Sequence, residues 1–204
     1  MAMEMIFLGM ILGFAGWVAK TRDQGRRIAL LGSHLGSYQI EKHLETLTQG
    51  YLRALGEQDE QRREQIWGLL RETEQALAGQ FERFAASFAK VADADARVST
   101  IPVALPFATR WLPAASFDLR KALAIHARGI SRSVNDSSQD SSRAKAFTTM
   151  AELFLMQHTC HWFCKSRTVA SARMLARHKT SYQQLIESVG PATRASYCEL
   201  VGKS

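Results

Sequence analysis

Apolar side chains fill residues 5–19 (MIFLGMILGFAGWVA) without a single charge, and Lys20, Arg22, Arg26 and Arg27 follow at once. An uncharged run closed by a basic cluster is the pattern of a segment that enters a bilayer and stops there. Fifteen residues at 1.5 Å each cover about 22 Å, less than the roughly 30 Å hydrocarbon core. So short a span calls for local thinning or a neighbouring helix. Gly9 and Gly13 form a G-x-x-x-G strip, with Gly16 close behind, where a second helix backbone can approach closely. A cleaved signal peptide is the rival reading. It requires a basic leader, whereas the only charge before the run is Glu4, and its best cleavage site, at residues 13–15, lies inside the apolar stretch.

Beyond the anchor the pattern turns to helical periodicity. Ile28, Leu31, Leu35, Tyr38, Ile40, Leu44, Leu47, Tyr51 and Leu55 predict a helix over residues 26–56, loosened at Gly32 and Gly36. After a polar turn, Ile66, Leu70, Thr73, Leu77, Phe81, Phe84, Phe88 and Val91 predict a second helix over residues 59–92. Two such stripes suit antiparallel packing as a hairpin or short coiled coil. Pro102, Pro106 and Pro113 then break the pattern into an extended apolar linker, with Phe107, Trp111 and Leu112 expected to cap the hairpin core. Ser116 is the expected cap of a helix through Leu123 and Ile130, and residues 135–142 (NDSSQDSS) read as a solvated loop. A long helix is expected from Ser142 to about His178 or on to Val189. Gly190-Pro191 ends it before a short last helix.

The expected architecture is all-α: one N-terminal transmembrane helix, a long helical hairpin and a C-terminal helical bundle. The divisions are an anchor over residues 1–20, the hairpin over 21–99, the linker over 100–115 and a basic region over 116–204 packed on the hairpin. No strand-like alternation is visible.

Charge and cysteine content place the chain. The net charge of +7 resides in the second half, where residues 100–204 hold 14 Lys and Arg against 6 Asp and Glu. Basic residues stay on the cytoplasmic side of a bacterial inner membrane. The expected topology is therefore N-terminus out with the C-terminal domain in the cytoplasm, Trp17 at the inner headgroup layer, and Lys20, Arg22, Arg26 and Arg27 against anionic lipid. Three cysteines, an odd number, fit a reducing compartment.

Candidate chemistry is confined to His158, Cys160, His161 and Cys164. On one helix these side chains spread over about 160°, too broad for all four to aim at one ion, so a zinc site would need a further ligand such as His126 or Cys198, and haem ligation by one of the histidines is the other cofactor reading. A buried structural seam explains the same residues without a cofactor. The basic residues from Lys165 to Lys179 wrap their helix instead of striping it, which argues against a groove-reading nucleic-acid helix. No nucleotide-binding loop or nucleophile–base pair stands out.

The layout is similar to that of accessory proteins of bacterial envelopes, an analogy of architecture that carries no residues across. The expected function is a non-enzymatic, membrane-anchored interaction or scaffold protein of an inner-membrane assembly, of envelope or secretion/transfer type. Its expected partners are membrane lipid and another transmembrane helix. The alternatives are a metal- or haem-binding sensor or enzyme at the His/Cys cluster, and a tethered basic module for nucleic acid or anionic lipid.

Overall fold

A computed structural model describes residues 2–136 and 141–202. The chain is all-α, as its periodicity requires. Helix α1 (Ala2–Leu35) is a single 34-residue rod, so anchor and domain are joined without a break at residue 20. It ends where Gly36 N–H closes on the Gly32 carbonyl (2.8 Å) and Tyr38 N–H on Leu35 (3.0 Å). The helix expected over residues 26–56 is therefore two helices, with the turn at the second of the suspected glycines.

Helices α2 (Ile40–Gly56) and α3 (Glu60–Phe88) form the hairpin. Ile40, Leu44, Leu47, Tyr51 and Ala54 repeat at four- and three-residue steps and face Trp67, Leu70, Glu74, Leu77, Phe81, Phe84 and Phe88. Trp67 and Glu74, not Ile66 and Thr73, complete the buried stripe. The polar residue in the seam is a carboxylate, held by the Tyr51 hydroxyl (2.7 Å) and the Lys145 ammonium (2.7 Å). Gly50 lets the two helices close: a Cβ there would lie 2.4 Å from Leu70 Cδ2. The hairpin leads away from the anchor. His34 of α1 meets Ser87, Tyr38 meets Phe84, His43 meets Gln80, and Tyr51 meets Trp67.

Helix α4 (Asp93–Ala96) leads into strand β1 (Arg97–Ser99). After an excursion carrying α5 (Ala108–Trp111) and a 3-10 turn (Pro113–Ala115), strand β2 (Ser116–Asp118) pairs back antiparallel, Val98 opposite Phe117. Strands were not expected, because three residues are too few to show alternation. The proline segment is thus a loop clamped at its base and not an extended linker. Asp118, not Ser116, caps the next helix by accepting from Arg120 N–H (2.9 Å). Burial alone would raise the Asp118 carboxyl, but hydrogen bonds and charge from Arg120 outweigh it and hold the pKa below the ordinary value.

Helices α6 (Leu119–Asn135), α7 (Ser142–Cys164), α8 (Arg167–His178), α9 (Tyr182–Ser188) and α10 (Pro191–Val201) complete the bundle. Part of the loop expected over residues 135–142 lies outside the described residues. Buried side chains surround α7, including Leu153, Leu155, Met156, Trp162 and Phe163, with α1, α6, α8 and α9 packed on it. Phe147, expected in that core, is half exposed under Arg143. The long C-terminal helix is three. Ser166 starts α8 by accepting from Val169 N–H, Lys179 stops it in the left-handed region (φ 54°), and a Ser181–Gln184 capping box opens α9.

Candidate functional site: the anchor helix and its seat

One N-terminal helix is long and apolar enough to cross a membrane, and its most apolar stretch is buried nowhere in the fold. Residues 3–17 are exposed around the whole circumference, so α1 projects as a bare rod carrying Ile6, Phe7, Leu8, Ile11, Leu12, Phe14 and Trp17. Water would make that arrangement costly and lipid makes it favourable. Gly9, Gly13 and Gly16 have no neighbouring atom within 4 Å of a built Cβ, which leaves their strip open to a second helix.

Below Ala19 the same helix becomes part of the domain. The Arg27 guanidinium donates to Asp23 Oδ2 (3.2 Å), to the Arg97 carbonyl (3.1 Å), to the Phe163 carbonyl (3.4 Å) and to Thr109 Oγ1 (3.4 Å). It also lies 5.3 Å from the Phe163 ring centroid. Phe163 is in the last turn of α7, where unpaired carbonyls and the helix dipole favour a cation. Lys165 Nζ donates to Gln24 (3.0 Å), and His34 Nδ1 pairs with Ser87 Oγ (2.9 Å). Within the basic cluster, then, Lys20 and Arg22 are exposed, Arg26 pairs with Asp95 at the surface (2.8 Å), and Arg27 clips the anchor to the bundle. Position along the chain showed the charges but not that one of them faces inwards.

The His/Cys cluster does not converge. His158 Nε2 lies 3.0 Å from Ser171 Oγ, and its ring stacks on Tyr182 at 4.5 Å. Cys160 packs against the core, its thiol pushed up to about 12 by burial with Cys164 and Glu41 adding; burial pushes Cys164 to about 11 against nearby Arg27, Lys165 and Arg173. Both thiols stay protonated at neutral pH and are poor nucleophiles. His161 turns towards a groove with Arg173, Arg177 and His178. His126 binds Thr159 Oγ1 through Nε2 (2.9 Å), and Thr159 in turn meets the Tyr197 hydroxyl (2.9 Å). Burial, with His158 adding, drives His126 down to about 3. Cys198 is half-buried against the core. Among the described residues no group of three or more His, Cys, Asp or Glu is placed to hold one metal ion.

A carboxylate that periodicity alone does not single out is buried inside the bundle. Glu152 is 1% exposed, accepts from Gly190 N–H at the start of α10 (3.0 Å), and has Gly129 of α6 against its other oxygen. A Cβ on Gly129 would come within 2.4 Å of that oxygen and 2.5 Å of Thr193 Oγ1. Burial raises the Glu152 pKa to about 7, against the opposing pull of Thr193, Gly190 and Arg132. The only signals in the sequence were an acid inside an apolar helix and a glycine inside another.

No protein-family model, no curated protein and no solved structure matches the chain.

Proposed function

We propose that the chain is a non-enzymatic, single-pass membrane protein, an accessory interaction subunit of a bacterial inner-membrane assembly of envelope or secretion/transfer type. Its N-terminus faces out and its helical domain lies in the cytoplasm. The observation that carries this reading is the continuity of α1, bare over residues 3–17 and tied to the bundle through Gln24 and Arg27. A flexible linker would let the domain wander; this joint fixes its orientation to the bilayer. The α2–α3 hairpin is then presented away from the lipid, with Leu52 and Leu69 exposed on it (60% and 77%). Lys20 and Arg22, exposed at the exit, support this direction, since cations at that place stay on the cytoplasmic side. The glycine strip offers a contact for another transmembrane helix, from a second copy or a partner subunit.

Crosslinking in native membranes through the span tests the reading. A trapped partner that is lost in Gly9→Leu with Gly13→Leu is expected. Recovery as a lone chain, indifferent to both substitutions, overturns it.

A further inference from the structure

The loop between β1 and β2 exposes Val103 (57%), Leu105 (50%), Trp111 (79%) and Leu112 (51%), the last two of which were expected to cap the hairpin core. It is not a loose tail. The strand pair clamps its base, the Trp162 indole donates to the Ser99 carbonyl (2.8 Å), and Thr168 donates to the Pro102 carbonyl through both its N–H (3.3 Å) and its hydroxyl (2.7 Å). Phe107 turns the chain in the left-handed region (φ 55°), with Arg110 over its ring. A fixed loop with large apolar side chains pointing outwards calls for a cover.

Its position names the cover. Val103, Leu105 and Pro106 line a cleft with Lys20, Asp23 and Gln24 of α1, and Phe107 and Arg110 line another with Asp23 and Arg26. Together the clefts reach from Lys20 to Leu30 of α1, about 15 Å, and the Val103–Pro106 side of the loop lies at the Lys20 end, where the helix leaves the domain. The bare rod above it, residues 3–17, is about 22 Å long, short of a roughly 30 Å hydrocarbon core. Seating the loop in the headgroup layer brings the domain down onto the bilayer and shortens the distance the rod must cover. Trp111 is the side chain that layer favours, and Lys20, Arg22 and Arg110 supply cations for lipid phosphates. We infer that the loop over residues 101–112 is a second membrane contact, a wedge in the headgroup layer of anionic lipid beside the transmembrane helix. The inference rests on α1 spanning the bilayer.

The test uses the full chain in vesicles of phosphatidylethanolamine and phosphatidylglycerol. A benzophenone amino acid replaces Leu105, Leu12 in the rod or Leu69 on the remote hairpin, one position at a time. Irradiation is expected to give lipid adducts at positions 12 and 105, each at least about fivefold above position 69. Adducts at 12 with position 105 no higher than 69, or with 105 joined to protein instead of lipid, overturn the wedge and leave the anchor standing. No adduct at 12 removes the anchor itself, and the wedge with it. An independent readout is tryptophan quenching by lipids brominated near the headgroup: the emission component lost in Trp111→Phe is expected to be quenched, and an unquenched component contradicts the inference.

Discussion

The two halves of α1 have one backbone and opposite surroundings. Over residues 3–17 every side chain is exposed and almost every one is apolar, whereas from Lys20 to Leu35 the helix is mostly polar yet carries the contacts that hold it to the bundle. In the first half hydrophobicity accompanies exposure; in the second an arginine is 16% exposed while Ile28 is 45% exposed. The lesson is that hydrophobicity along a helix does not by itself say which side chains the protein core buries; the packing around the helix does.

The comparison breaks most visibly if charge is placed in the first half. Leu8→Arg with Ile11→Arg costs about 3 kcal/mol per residue at the centre of a span. Most of the chain should then leave the carbonate-washed membrane fraction, measured by immunoblot of pellet and supernatant. The same pair of arginines should leave thermal unfolding of the domain in detergent unchanged.

The domain on which the second half of α1 is seated carries two buried titratable groups, Glu152 and His126. Glu152 has its pKa raised by burial from 4.5 to about 7, so the folded state binds more protons than the unfolded one between those values. Stability from this group is fully present below pH 4.5 and is lost as pH rises through 7, on the order of 3 kcal/mol in all. His126, lowered by burial from 6.5 to about 3, acts with the opposite sign, losing stability as pH falls below 6.5. The two slopes offset each other between about pH 4.5 and 6.5. Glu152→Gln keeps the acceptor for Gly190 and should match the wild type near pH 4. By pH 8 it should be more stable by the amount above, read from denaturant midpoints in mild detergent.

Arg27→Ala removes the clip and leaves the Phe163 and Arg97 carbonyls without that donor, at about 2 kcal/mol. It should raise hydrogen exchange in the second half of α1 and leave lipid integration intact. Gly129→Ala, which forces a methyl group against Glu152 and Thr193, should cost about 2 kcal/mol through overpacking. The smallest effect belongs to Gly9→Leu with Gly13→Leu: about 1 kcal/mol in helix–helix association, seen as loss of a crosslinked partner with no change in unfolding.

Much of this was legible from periodicity. The apolar run, the hairpin stripes and the all-α class follow from spacing that repeats over many residues. Features set by a few residues were not. The turn at Gly36, the three-residue strands, the break at Ser166 and the Ser181–Gln184 capping box each depend on a few local bonds. In the hairpin, a shift of one residue exchanged Thr73 for Glu74, because a tertiary partner, Lys145, makes the carboxylate acceptable inside. The His/Cys crowding told of composition only: side chains close in sequence diverge on a helix, and His158 and His161 end against different neighbours. Trp111 and Leu112 read as core because apolar residues usually are; here they stand out beside the helix exit.

The central claim is that residues 3–17 lie in the bilayer while the helix they begin stays locked in the domain. Alkaline carbonate extraction of membranes containing the full chain tests it most directly. The account predicts that the polypeptide remains in the pellet and is released only by detergent; full-length polypeptide in the supernatant without detergent would contradict it.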